Sequence, residues 1–307
     1  MNRCSQIFLS FLLILNTFIV AQNDTLPVKN YRTKKIIVAS SASAFTAGSL
    51  LYLSKAWYMQ YNNGKFIFFN DNSEWLQMDK VGHFWSTYNT GRLMMDAFDW
   101  AGASKKQKLL YGGTIGFAYM TCIEVMDGCS KGWGFSYGDM IANAAGSGLA
   151  IAQEAAWNEQ RVFVKYSYHQ SDFAAYNPNL LGKNLSERLL KDYNAQIYWL
   201  SVSPFNFIKS DKKLPKWLAL SLGYGASGMI RAKESSITYY SNTTPQVEYY
   251  FEAERIRNFY VSIDLDLTKI KTKSKFLKTV FTCLNTVKIP APAVLLNKNG
   301  AQYFLFR

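Results

Sequence analysis

GFSYGDMIANAAGSG, residues 134–148, decides how the first half of this chain folds. Asp139 and Asn143 stand four positions apart and Gly146 continues their line, while most of the rest is small or apolar. That spacing predicts an apolar helix carrying one polar stripe. Two earlier segments repeat the contradiction. DKVGHFWSTYNT (79–90) puts Asp79 and His83 on one helical face, and IEVMDG (123–128) closes an apolar run with Glu124 and Asp127. Burying a charge costs several kcal/mol unless it is paired, so a chain that keeps such residues holds either a polar site or a network that fixes the packing.

Working outward, residues 36–53 carry no charge, and Ala39, Ser43 and Ala47, like Ser40, Ala44 and Gly48, recur every four positions. Small residues at that spacing let helix backbones approach closely. The run suits a bilayer crossing or a buried core helix equally. Residues 57–75 are aromatic and Asn-rich and read as a loop or short hairpin. Helices are expected over 79–100, 109–126 and 140–157, the last with Ala142, Gly146 and Ala150 as a small-residue line. Gly128, Gly132, Gly134 and Gly138 make 127–138 a loop. It lacks the order of a phosphate-binding loop, although Lys131 and its backbone amides offer a place for an anionic head group.

From about residue 195 the period changes. Segments 197–202 and 217–222 are short, aromatic and β-branched or leucine-rich, and Val261, Ile263, Leu265 and Leu267 alternate with polar residues as in a half-buried strand. One helix is expected near 270–284. The fold class that follows is α+β: an N-terminal bundle of about four apolar helices, then an antiparallel β-rich C-terminal region. The division is 1–21 signal peptide, 22–160 helical bundle, 161–194 linker and 195–307 β-rich region. The strands are too few for one chain to close an outer-membrane barrel.

The chain has 307 residues, 49% of them hydrophobic, and a formal net charge of +13. That balance favours acidic partners: nucleic acid, anionic lipid or polyanionic glycan. The N-terminus chooses among them. Asn2 and Arg3 precede an apolar run over 7–20, and Ala21 offers a cleavage point, so the start reads as a secretory signal peptide. Export removes nucleic acid and leaves membrane lipid or envelope glycan, with a protein partner for the C-terminal region as a further option. Cys122, Cys129 and Cys283 remain after cleavage, an odd count; Cys122 and Cys129 are able to pair only if the helix stops near Asp127.

The polar residues form one inventory. His83 and Glu124 are the candidates for general acid–base work, and Asp79, Lys80, Asp127, Ser136, Asp139 and Asn143 complete a polar centre. The same set suits a divalent metal or a structural hydrogen-bond network, and it names no particular metal or cofactor. Bland readings stand beside each. Asp79 and Asp139 favour helix N-termini by charge alone, with Ser136 a competing cap. A buried Glu124 calls for a cationic partner, for which Lys80, Arg92 and Lys131 are available. His169 reads as solvated, and Lys269, Lys271, Lys273, Lys275 and Lys278 as a solvated face or a patch against anionic lipid.

The order Asp79-Lys80-x-x-His83-Phe84, then Glu124, then Phe135-Ser136-x-x-Asp139-x-x-x-Asn143-x-x-Gly146 resembles the YfiM-like envelope family, predicted periplasmic lipoproteins with a domain of unknown function. More distantly it is similar to VanZ-like membrane proteins, which carry a DK-x-x-H start, a mid-chain Glu and a D-x-x-x-N-x-x-G end. The resemblance covers about residues 36–157. It implies a location, the periplasm or outer membrane, and a helical fold rather than a reaction. The chain departs from the family in two ways. Cys4 precedes the apolar run, where no lipid-attachment signal places it, and a long β-rich region follows the helices. The reading is an exported, membrane-associated envelope protein that binds an amphiphilic or anionic envelope component. Its rivals are a hydrolase or transferase acting on lipid or glycan with His83 or Glu124 as general base, and a purely structural protein.

Overall fold

The computed structural model describes residues 29–54, 65–208, 214–234, 236–240 and 248–307. The expected signal peptide, Cys4 and the first part of the polar segment after it lie outside the described residues. The chain forms two compact units: residues up to Asn72 with His83–Gln160, and Ser73–Gly82 with Arg161–Arg307. Helix thus dominates the first part and an antiparallel sheet the second.

In the first unit the helices are α1 (Lys29–Leu53), most of α2 (Met78–Trp100), the short α3 (Lys105–Gln107), α4 (Ile115–Gly128) and α5 (Tyr137–Trp157). Ser104 and Gln107 start α3 with reciprocal capping bonds. The unbroken helix expected over 109–126 is divided: a π-helical turn at Lys108–Gly112 precedes α4. Gly112 and Gly113 explain why the chain passes there, since an added Cβ would come within 2.9 Å of the Met95 backbone and 2.4 Å of Ile151. Gly146 does the same work on α5. A Cβ at that position would lie 2.1 Å from Thr87 Oγ1 and 2.3 Å from the Phe84 carbonyl, so α2 and α5 touch backbone to backbone there.

Helix α1 packs Val38 against Phe98 and Ala101 and Leu50 against Cys122 and Met126, yet leaves Ile36, Phe45 and Tyr52 exposed. Its Arg32–Leu53 stretch, and Lys105–Gly128, are long and apolar enough to cross a membrane; the first is 17% buried and the second 50%. The irregular aromatic stretch before α2 contributes β1 (Phe68–Phe69), which pairs in parallel with β2 (Phe135–Ser136).

Near its start the second unit holds Trp75, Leu76 and Gln77, three successive residues at φ of 46°, 50° and 63°. Side chains without β-branching tolerate this region only at a cost, and neighbours hold it. Trp75 N donates to Ala232 O, and Leu76 O accepts from Tyr224 Oη and Arg257 Nη1. Residues 161–194, read as a linker, instead supply strand β3 (Val162–Tyr168) and helices α6 (Pro178–Leu181) and α7 (Leu185–Lys191). With β4 (Gln196–Val202), β5 (Leu218–Ser227), β8 (Ile256–Leu265), β9 (Ala293–Asn297) and β10 (Gly300–Phe304), strand β3 completes a six-stranded sheet in the order β10-β9-β8-β5-β4-β3. Strands β6 (Ser236–Tyr240) and β7 (Glu248–Glu252) form a separate pair, and helix α8 (Lys275–Leu284) lies between β8 and β9.

The alternation read in β8 is present, but its faces are reversed. Val261 and Ile263 are exposed, while Tyr260, Ser262 and Asp264 are buried. Inside, Ile197, Trp199, Tyr260, Ala293 and Leu295 form the core, and Lys165 Nζ meets Asp264 Oδ2 at 2.9 Å with neither side chain exposed. His169 is not solvated as expected. It sits half-buried, and burial together with the Arg307 charge pushes its pKa down to about 4.

Candidate functional site

Three helices of the first unit bring the polar centre together. His83 stands on α2, where Thr87 Oγ1 donates back to the His83 carbonyl at 3.0 Å. Glu124 faces it from α4, with Oε1 3.6 Å from His83 Nε2. Asn143, on α5, places Oδ1 3.1 Å from His83 Nδ1. With Nδ1–H given to that amide, the imidazole keeps Nε2 directed at Glu124.

Backbone pairing sets the far side. Helix α4 ends at Gly128, where a Cβ would lie 2.5 Å from the Phe66 ring, and Ile67 N donates to the Gly128 carbonyl. The β1–β2 pairing then fixes Ser136, which does three things. Its N–H donates to Glu124 Oε2 at 3.0 Å, its hydroxyl donates to Asp71 Oδ1 at 2.6 Å, and the same oxygen accepts from Asp139 N as the cap of α5. The cap is therefore Ser136, while Asp139 occupies the first turn with its carboxylate buried. Asp139 and His83 each offer a metal-ligating atom within 4.8 Å of one another.

Electrostatics make Glu124 the unusual member. It is 1% exposed, and burial pushes its carboxyl pKa up to about 9. The His83 charge and the Ser136 amide pull it down, and the Asp127 and Asp139 charges push it further up. Burial thus favours the protonated form of the carboxyl beside the imidazole. Asn143 Nδ2 and Ser147 Oγ, both buried, have no hydrogen-bond partner among the described residues.

The expected cationic partners of Glu124 are elsewhere. Arg92 Nη2 donates to Asn89 Oδ1, Lys131 is exposed, and Lys80 Nζ lies 3.5 Å from Asp79 Oδ2. Histidine takes the role because α2 presents it one turn from the Thr87 crossing point. Asp79 and Lys80 belong to the second unit, where Asp79 Oδ1 accepts from the Tyr193 hydroxyl at 2.6 Å. Sequence reasoning missed Asp71 and Tyr193. Both lie in segments without a regular period, and their partners are 65 and 114 residues away. Cys122 is a free, buried thiol, so it makes no bridge to Cys129.

Residues 67–155 match the model of a family described as predicted periplasmic lipoproteins, a domain of unknown function (DUF2279), and that span contains His83, Glu124, Asp127, Ser136, Asp139 and Asn143. No curated protein and no solved structure matches the chain. Over residues 67–155 the chain is thus similar to predicted periplasmic lipoproteins, and it is an exported protein of the periplasm or outer membrane.

Proposed function

We propose that this exported protein is membrane-associated and that His83, Glu124, Ser136, Asp139 and Asn143 form a binding centre for the polar end of an amphiphilic envelope component. The observation that carries the reading is the buried Glu124 carboxyl, its pKa raised by burial, with Oε1 3.6 Å from His83 Nε2. A proton held against the ordinary carboxylate range is one that a cation displaces. Asp127 and Asp139 beside the centre repel a bare anion, so an anionic head group would enter with a divalent cation, whereas a hydroxyl-bearing glycan needs none. The exposed apolar side of α1 supports membrane association. The YfiM-like link, and the more distant VanZ-like one, belong to the same proposal and rest on the residue order quoted above.

A second reading has its own support. Asn143 orients the imidazole as an orienting amide does in acid–base catalysis, which favours a hydrolase or transferase using the His83–Glu124 pair on a lipid or glycan. Thermal unfolding of the full chain with Mg2+, Ca2+, Mn2+ or Zn2+ tests the binding reading. A rise in Tm with proton release, lost in Glu124→Gln and His83→Ala variants that still fold, is expected. No shift with any of the four ions would remove the cation from the proposal. Turnover of an envelope lipid or glycan, lost in the same variants, would favour the enzyme.

A further inference from the structure

The sheet of the second unit is apolar on both sides. Its buried side combines the Trp199 core with the Lys165–Asp264 ion pair, Ser221, Asn258 and Ser262. Its outer side presents Leu222 at 62% exposure, Phe259 at 52% and Ile263 at 49%. Registered pairing makes these residues continuous across four strands: Leu200 faces Leu222, Leu222 faces Val261, and Val261 faces Val294. On β5 the band runs from Leu218 to Tyr224, about 20 Å at about 3.3 Å per residue, close to the roughly 25 Å apolar band of lipid-facing strands. An apolar outer face is what strands present to hydrocarbon.

What lies at the ends of the band says what covers it. At one end Asp266 N donates to the carbonyl of Trp217, a half-exposed indole of the kind that sits at head-group level. From that end the chain runs through Lys269, Lys271 and Lys273 into α8, KFLKTVFTCL, which has no buried residue and exposes Phe276 at 74% beside Lys275 and Lys278. An amphipathic helix with lysines on its polar face is suited to the surface of an anionic bilayer. Part of the backbone at the edges of the sheet is also paired. Tyr166 N donates to Thr286 O, Lys288 N donates to Tyr166 O, and Ala291 and Arg307 exchange a pair of bonds. Contact with hydrocarbon favours each such bond.

We infer that the outer face of this sheet, with helix α8 at its Trp217 end, is a membrane-docking surface that sets Leu222, Val261 and Ile263 into the hydrocarbon of an anionic bilayer. The inference goes beyond the binding centre and does not depend on it. An environment-sensitive fluorophore on Val261→Cys or Ile263→Cys, in the full chain carrying Cys283→Ser, tests it in phosphatidylcholine vesicles with and without phosphatidylglycerol. Emission should shift to the blue and fall severalfold with nitroxide on the acyl chains, while a label on Asn299→Cys should do neither. Labels as open to aqueous iodide with vesicles as without them would overturn the inference. So would labels shielded from both quenchers in a protein of dimeric mass, because a second copy would then cover the face. Changing Lys271, Lys273 or Lys275 to Gln should lower affinity for the anionic vesicles by about fivefold per lysine, and no change would overturn the anionic preference. His83→Ala should leave every label unchanged, which separates this result from the fate of the binding centre.

Discussion

Replacing Glu124 by glutamine should make the protein more stable as pH rises, relative to the parent, and the structure sets the slope. The folded carboxyl titrates at about 9 and an unfolded one at 4.5. Between those values the folded chain holds a proton that the unfolded chain has released. Stability from this group is therefore fully present below pH 4.5 and is lost as pH climbs toward 9, by at most about 1.4 kcal/mol per unit. Glutamine carries no such proton, yet its amide oxygen is still able to accept from Ser136 N. Urea unfolding of both proteins at half-unit steps from pH 6 to 8 measures the difference. The variant should gain steadily on the parent across that range, by a total on the order of 1–3 kcal/mol. A flat difference would refute the argument, because it would mean that Glu124 is ionised in the fold and that His83 pays for its charge.

Gly146→Ala should destabilise the protein by about 1–3 kcal/mol, since its Cβ would meet the Phe84 carbonyl, which cannot rotate away, as well as Thr87 Oγ1; chemical denaturation checks this. Lys165→Met alone should cost about 3–5 kcal/mol by stranding Asp264, and adding Asp264→Leu should recover most of it. A double-mutant cycle reads that coupling. Cys122, whose thiol burial pushes up to about 11, should react with a thiol reagent at pH 8 far more slowly than the exposed Cys283, as mass spectrometry of timed samples would show.

Much of the helical unit was legible because a four-residue spacing survives folding. Asn143 does reach His83 and Gly146 does meet the same helix at Phe84 and Thr87, since helical period and burial point the same way along α2 and α5. The partner of Glu124 was not legible. Charge alone favoured a lysine or arginine, and only the crossing of α2 and α4 decides that the imidazole arrives first. In the sheet the period was read correctly and the faces were inverted. Alternation tells which residues lie together, but the side that faces the interior is set by what else is inside. Here that is Lys165, 99 residues before Asp264 in the chain, which no local pattern reveals.

The assignment of residues 73–82 to the later unit has a consequence for the order of events during export. Leu76 and Asp79 are made early, yet the groups that hold them, Tyr193, Tyr224 and Arg257, follow 114 to 181 residues later. Until those side chains arrive, nothing holds Trp75, Leu76 and Gln77 in their left-handed conformation, and the first turn of α2 has no fixed direction. A chain emerging from its amino end must therefore keep this segment waiting, and contacts spanning such separations form slowly. Cleavage of the chain at residue 160 would orphan the segment as surely as delay does, so the β-rich half is not a module that a single cut releases.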